Sequence, residues 1–180
     1  MPPVVPSVSQ RVPPSLQRRA NEVEGWLELR CPHIALEKVE PLLRVPGARP
    51  VALYLRVRAL VDAGRCAEAL RDIDELRTMH HEPEWLDLTE AWCCKRVGRI
   101  ADAVACMERL VRRDPKSAIG YFNLGCYLAL LGHHDMAMRA LRRACALDSA
   151  FRGVPLDDPD LDSVRDRRDF AELRHCAPTR

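Results

Sequence analysis

The sequence predicts an all-α protein built as a solenoid of antiparallel helix pairs, and two observations favour that class. The composition is 47% apolar and 30% charged, with only 5% aromatic residues and 8 glycines in 180 residues, which disfavours β-sandwiches. A Gly-x-x-x-x-Ala pattern also recurs every 34 residues, beginning at Gly64, Gly98 and Gly132. A fixed period of this length is typical of stacked helical repeats.

Each repeat predicts two helices around a short turn. In the last repeat, Leu124 and Leu128 keep the spacing of one helical face, and Met138 and Leu141 resume it after the turn. A glycine at the turn suits the left-handed backbone that ends a helix, and the recurring alanine suits close contact between the helices. The predicted helices span residues 16–29, 34–44, 51–63, 66–79, 84–97, 100–113, 118–131 and 134–147.

The period also extends backwards from the three strong repeats into residues 16–49. In this degenerate first repeat, Arg30 stands where the other repeats carry the turn glycine, whereas Ala35 keeps the alanine position. The repeats predicted from the period are 16–49, 50–83, 84–117 and 118–151.

The repeated unit resembles the tetratricopeptide repeat family, and the last repeat carries the resemblance most fully. The matching residues are Tyr121, Leu124, Gly125, Leu128, Ala137, Leu141 and Ala144. The resemblance covers residues 50–151 and, in degenerate form, 16–49. It implies a right-handed α-solenoid of 34-residue helix pairs whose concave surface binds a protein partner.

The two ends of the chain are predicted to differ from the repeats. Five prolines among the first fourteen residues predict a flexible tail at residues 1–15. Residues 152–180, with the Asn-Leu-Gly-Cys-Tyr segment at 123–127, resemble bacterial members of the family that end in a cap over the open apolar face of the last repeat. The cap is expected to use Leu161, Val164, Phe170 and Leu173, with Asp160 and Asp169 as N-caps.

The net charge and the motifs that the sequence lacks indicate which partners, cofactors and activities are not expected. The net charge is +2, from 28 basic and 26 acidic residues without a basic block, which predicts no nucleic-acid partner. No apolar run approaches about 18 residues and no secretory segment is visible, so we expect no membrane partner, a cytoplasmic location and reduced thiols for the 8 cysteines. No phosphate loop, nucleophile elbow or zinc motif occurs, which predicts a protein that is not an enzyme and has neither metal nor other cofactor.

The first helix of each repeat lines the concave groove in the resembling family. The resemblance therefore implies an interaction module or adaptor that binds a peptide or helix of a partner protein in this groove. Two tryptophans and several arginines fall on this surface, and such residues are common binding hot spots. The implied groove residues are Tyr54, Arg58, Trp85, Leu88, Trp92, Arg96, Phe122, Asn123 and Cys126.

Three alternatives stay open. Trp85 and Trp92, seven residues apart, could instead pack between helices. Cys93, Cys94 and Cys126 lie on the first helices of adjacent repeats and could form a thiol- or metal-dependent site. The solenoid could also have a structural role, in which it self-associates weakly or fills its groove with its own tail or cap.

Charged residues replace an apolar repeat position on three first helices, at Glu22, Arg56 and Glu90. Equivalent positions on stacked helices lie about 8–10 Å apart, so opposite charges in this order predict a ladder in which Arg56 bridges the two carboxylates. Ordinary surface charges are the alternative.

Overall fold

The computed structural model describes residues 13–79 and 84–175, and every regular element within those ranges is helical. Short 3₁₀ segments span Pro46–Ala48, Ser149–Arg152, Val154–Asp157 and Pro159–Val164. The α-helices are α1 (Pro14–Glu28), α2 (Pro32–Leu43), α3 (Arg49–Asp62), α4 (Cys66–Thr78), α5 (Glu84–Arg96), α6 (Ile100–Arg113), α7 (Ala118–Leu130), α8 (His134–Leu147) and α9 (Arg168–His175).

This architecture confirms the predicted all-α fold, and α1 to α8 begin and end within two residues of the predicted helices. The start of α1 at Pro14 lies inside the segment predicted as a tail. Proline is tolerated at the first helical position because its missing N–H would have no partner there in any case. Residues 1–12 of the predicted tail lie outside the described residues.

The turns between first and second helices share one backbone conformation. Gly64, Gly98 and Gly132 have φ angles of 73°, 80° and 76°, and Arg30 has a φ of 56°. In the turns after α1, α3 and α7, the residue that follows the one with positive φ donates its N–H to the carbonyl oxygen five residues earlier, over 2.8–2.9 Å. This hydrogen bond ends the helix. Arg30 therefore adopts, in the degenerate repeat, the conformation that glycine adopts in the others.

The second helices start at a constant interval. α2, α4, α6 and α8 begin at Pro32, Cys66, Ile100 and His134, and α9 begins at Arg168, again 34 residues further on. The C-terminal segment thus keeps the register of a fifth repeat whose first helix is replaced by 3₁₀ segments. Two prolines in this stretch account for the loss, since each removes an N–H that an α-helix needs.

The chain divides into two compact units, Met1–Val97 and Gly98–Arg180. In the first unit, α1 packs on α2 and α3, α3 on α4, and α4 on α5, with Ile73 fully buried. In the second unit, α6 packs on α7 and α7 on α8, with Met107 fully buried. Each unit therefore has an apolar core of its own.

Helices α7 and α8 approach closely at Gly125. A Cβ built on this glycine would lie 2.7 Å from Leu141 Cγ and 3.3 Å from the Ala137 carbonyl oxygen. A larger residue would push the two helices apart, which explains the glycine of the Leu-Gly pair in this repeat.

The segment after α8 packs on α7 and α8 of the second unit. Ser163 Oγ donates a hydrogen bond of 3.0 Å to the Ala129 carbonyl oxygen of α7, and Arg142 of α8 donates one of 2.8 Å to Asp169. The buried apolar side chains of this segment are Leu156, Leu161, Val164, Phe170 and Leu173.

The two predicted N-caps of this segment are wrong. Asp158, rather than Asp160, caps Pro159–Val164, and its carboxylate accepts from the Asp160 N–H at 2.9 Å. Asp169 lies within the first turn of α9, where its carboxylate accepts from Arg167 Nε at 2.9 Å. Each cap prediction chose an aspartate inside the element, two residues after the N-cap position.

Candidate partner-binding surface

Two stacked aromatic rings join α3 to α5 in the first unit. The centroids of Tyr54 and Trp85 lie 4.4 Å apart with the ring planes tilted by 50°, a geometry in which aromatic rings attract beyond simple burial. Both residues are buried, and Trp85 keeps only 7% of its surface exposed. Neither ring therefore offers much area to a partner.

Trp92 differs from Trp85, because it is only half-buried. The guanidinium carbon of exposed Arg96, one turn further along α5, lies 5.5 Å from the Trp92 ring centroid in a cation–π contact. Leu88, one turn before Trp92, is also half-buried. Residues four apart share one face of a helix, so these side chains form a continuous strip. We call Leu88, Trp92 and Arg96 the Trp92 strip.

Arg58 of α3 occupies the same repeat position as Trp92 and is half-buried. Its Nη1 atom lies 3.8 Å from Oε1 of the buried Glu24, which holds the same position on α1. This repeat position is therefore occupied by Glu24 on α1, Arg58 on α3 and Trp92 on α5. The ion pair ties Arg58 to α1.

A partly buried ionic cluster holds α5 against α4. Arg77 of α4 donates 2.8 Å and 2.6 Å hydrogen bonds to Glu90 and Asp87 of α5, and the Asp87 side chain is fully buried. Burial opposes the charge on Arg77, but the hydrogen bonds to Glu90 and Asp87 outweigh it and raise the pKa of the guanidinium. This cluster fixes the rotation of α5 and so presents Trp92 outward.

A cleft of about 450 Å³ adjoins the strip where α5 ends beside the turn between α3 and α4. Arg65, Lys95 and Arg96 line it with Glu68 as the acidic residue, so its charge is positive on balance. Arg65 Nε and Nη2 each donate to the Glu68 carboxylate at 2.7 Å. The Trp92 strip therefore combines apolar area with a basic edge.

In the second unit the implied groove residues are largely covered by the chain itself. Phe122 is buried, and its ring centroid lies 5.0 Å from that of Phe151, which follows α8. Cys126 is buried and Asn123 is half-buried. Burial also raises the pKa of Tyr127 in the same helix. Of these predicted contacts, Asn123 alone keeps substantial exposure.

The thiol alternative rests on Cys93, Cys94 and Cys126, and all three are buried. Burial raises the pKa of the Cys93 thiol, with a smaller contribution from the nearby Cys66. Within residues 13–79 and 84–175, no three histidine, cysteine or acidic side chains are grouped to hold a metal ion.

Comparison with known proteins addresses the repeat directly, since residues 95–150 match the family model described as tetratricopeptide repeat. Residues 95–150 contain tetratricopeptide-repeat sequence. The predicted resemblance is confirmed over these residues. A search of curated proteins found no match. Over the part of the chain that the structure describes, no helix is long and apolar enough to cross a membrane.

Two solved structures show the same tetratricopeptide-like fold. MamA 41-end from Desulfovibrio magneticus RS-1 has 18% sequence identity and a TM-score of 0.75, covering 90% of this chain and 92% of that one. The MamA RS-1 ArsTM double mutant has 17% identity and a TM-score of 0.72, covering 91% of this chain and 97% of the other. At this identity the likeness establishes the fold alone.

Two residues of this region were not predicted from the sequence. Arg77 of α4 and Phe151, which follows α8, both lie outside the first helices that line the groove in the resembling family. Asp87 and Glu90 stood at positions that the family fills with apolar residues, and two misplaced carboxylates on one helix are a signal for a buried cation nearby. Nothing in the sequence distinguished Phe151 from an ordinary connecting residue.

Proposed function

We propose that this chain is a protein-interaction module that binds a peptide or helix of a partner protein on the Trp92 strip. Tetratricopeptide repeats support an interaction or scaffold role in general. The observation that carries the finer assignment is the half-buried Trp92 side chain with the Arg96 guanidinium over its ring. Tryptophan and arginine are the residues most enriched in binding hot spots.

The chemistry of the strip favours an amphipathic partner. Leu88 and the Trp92 ring offer apolar area, so the partner needs a large apolar side chain there. Arg96 and the basic cleft suit a carboxylate placed about one helical turn away, because guanidinium groups bind carboxylates in a fixed geometry. An acidic, amphipathic helix or extended peptide meets both requirements.

Affinity capture with the full chain tests this proposal. The Trp92→Ala/Arg96→Ala variant should lose the partner that the wild-type chain captures and crosslinks. Trp26→Ala is the matched control, since Trp26 is a half-buried tryptophan on α1, outside the strip, and its variant should keep the partner. Equal capture by the wild-type chain and the double variant would contradict the proposal, as would capture of nothing but further copies of this chain.

A further inference from the structure

The cleft at the end of α5 takes its charged side chains from two helices. Arg65 and Glu68 stand at the start of α4, and Lys95 and Arg96 lie in the last turn of α5. At neutral pH all four are charged. The lining residues therefore carry an excess of two positive charges.

The cleft has room for a polyatomic anion. Its volume is about 450 Å³, which admits a phosphate group together with several water molecules. The uncharged lining residues include Gly64, Cys66 and Ala67, whose small side chains leave this space open. Charge and volume together point to a ligand group larger and more highly charged than a single carboxylate.

Arg96 belongs both to the cleft and to the Trp92 strip. Its guanidinium carbon lies 5.5 Å from the Trp92 ring centroid, and its side chain also lines the cleft. Lys95 and Arg96 follow Trp92 by three and four residues, so the cleft lies about one helical turn, roughly 5 Å, along α5 from the ring. An extended chain rises about 3.3 Å per residue. A peptide residue on the ring therefore places the side chain two positions away at the cleft.

We propose that the cleft binds the phosphate of a phosphoserine or phosphothreonine that stands two residues from the apolar anchor of an extended partner peptide. This inference rests on the proposed function, because the anchor is the partner side chain that contacts the Trp92 strip. A phosphate monoester carries about −1.5 to −2 charges at pH 7 and three acceptor oxygens, which matches the positive excess of the cleft. A carboxylate supplies one charge and two oxygens, which match it less well.

The donor groups of the cleft are those that bind phosphate in proteins. Arg65 and Arg96 carry planar guanidinium groups, which bind two phosphate oxygens at once, and Lys95 supplies a point charge. The ion pair between Arg65 and Glu68 is exposed, with 46% of each side chain accessible, so it is weak and yields to a phosphate. The Glu68 carboxylate opposes a phosphate by like charge. Arg65 and Glu68 therefore have opposite effects on the same ligand.

Titration of the full chain with three matched peptides tests the inference. Each is a blocked pentapeptide of glycine with phenylalanine at its second position and phosphoserine, serine or glutamate at its fourth, and amide shifts in NMR spectra give the affinities. We expect the phosphoserine peptide to bind at least about tenfold more tightly than the serine peptide, and more tightly than the glutamate peptide. Inorganic phosphate should bind more weakly than the phosphoserine peptide, because it lacks the anchor. Equal affinity for phosphoserine and serine, or binding of none of the peptides, would overturn the inference.

Two substitutions near the start of α4 have opposite expected effects. Arg65→Gln should lower the preference for the phosphoserine peptide over the serine peptide at least about fivefold, which is the effect of one unit charge about 4 Å away in water. Glu68→Gln should raise this preference. Arg19→Gln removes an exposed arginine of α1, outside the cleft, and should leave the preference unchanged. Changes of the same sign in Arg65→Gln and Glu68→Gln, or an equal loss in Arg19→Gln, would overturn the assignment to the cleft.

Trp92→Ala separates this inference from the proposed function. The variant should weaken binding of all three peptides, because each of them carries the anchor. Binding that depends on Trp92 but shows no preference for phosphoserine would contradict this inference alone and leave the proposed function standing. Binding that Trp92→Ala does not change would contradict the proposed function, and with it the spacing between anchor and phosphate inferred here.

Discussion

Arg56 and Asp72 form a two-point ion pair that joins α3 to α4. Arg56 Nε and Nη2 donate to the two carboxylate oxygens of Asp72, each over 2.6 Å. The Asp72 side chain is 7% exposed and that of Arg56 is 26% exposed. Hydrogen bonding to Asp72 raises the pKa of Arg56, so the guanidinium stays charged throughout the physiological range.

The predicted charge ladder along the first helices is therefore wrong. Glu22 pairs with Lys38 of α2 at 2.8 Å, and Glu90 pairs with Arg77 of α4. Each of these charged residues on a first helix thus finds its partner on a second helix. The reason is geometric, because a side chain at this repeat position points towards the neighbouring second helix.

Replacing Arg56 with alanine should lower the free energy of unfolding by about 3 kcal/mol, since it leaves the buried Asp72 carboxylate without its guanidinium. Urea denaturation measures the loss. The Arg56→Ala/Asp72→Asn double variant should recover much of it, because the stranded charge is gone.

Two outcomes would contradict this pairing. One is a loss below about 1 kcal/mol for Arg56→Ala, which is the range of an exposed ion pair. The other is recovery when Glu22 and Glu90 are neutralised in place of Asp72, which would restore the ladder.

Arg30→Gly should stabilise the protein by about 1 kcal/mol. Arg30 has a φ of 56°, a conformation that is unfavourable for a residue with a Cβ and open to glycine. Its ion pair with Asp62 is long, at 3.8 Å, and the Arg30 side chain is 81% exposed, so little is lost with it. Thermal and urea melts of the variant measure the gain.

Gly64→Ala is the matched control for Arg30→Gly. A Cβ at Gly64 would meet no atom within 4 Å, so the backbone conformation, with a φ of 73°, is what opposes the substitution. This variant should be destabilised by about 1 kcal/mol. Changes of the same sign in both variants would refute the account of these turns.

The contact of α9 with α8 should weaken in acid through Asp169. Hydrogen bonding from Arg167 holds the pKa of Asp169 below its ordinary value of 3.8. A carboxyl group with a lowered folded-state pKa stabilises the fold above its unfolded pKa and loses this effect as the pH falls through the folded value. The stability difference between wild type and Asp169→Asn should be constant from about pH 7 to pH 5 and shrink below about pH 4.

Urea melts across this pH range check the assignment of Asp169. Arg167→Gln should remove the same pH-dependent part, because it removes the principal hydrogen-bond donor. A wild-type advantage over Asp169→Asn that persists unchanged to about pH 3 would contradict it.

Removal of the C-terminal segment should expose the apolar surface of α7 and α8. A chain ending at Arg152 loses buried Leu156, Leu161, Val164 and Phe170, and we expect it to aggregate or to melt at least about 5 °C lower. A chain ending at His175 keeps these four residues and serves as the control. Equal solubility and melting of the two chains would show that the segment is not a cap.

The sequence predicted the helices well because the period and the turn glycines are local signals. Even Arg30 was placed correctly at a turn, since the flanking apolar spacing and Ala35 fixed the register. The left-handed conformation at Arg30 was not predictable from its residue type, because it is imposed by the helix pair around it.

The candidate surface was predicted less fully, because burial of a side chain depends on what packs against it. Trp85 and Trp92 are the same residue type, seven positions apart on one helix, yet Trp85 is buried against Tyr54 and Trp92 is only half-buried. Phe122 was expected to face a partner and contacts Phe151, which comes from a segment without helical periodicity. Both contacts join residues far apart in sequence.

We propose that Trp92 binds a partner while Trp85 stabilises the fold, and paired measurements on two alanine variants distinguish these two roles. Trp92→Ala should lower affinity for the captured partner by about 2 kcal/mol, roughly 30-fold, and leave the free energy of unfolding within about 1 kcal/mol of wild type. Trp85→Ala should lower the free energy of unfolding by about 3 kcal/mol or more. Unchanged affinity in Trp92→Ala, or a loss of stability as large as that of Trp85→Ala, would contradict the account.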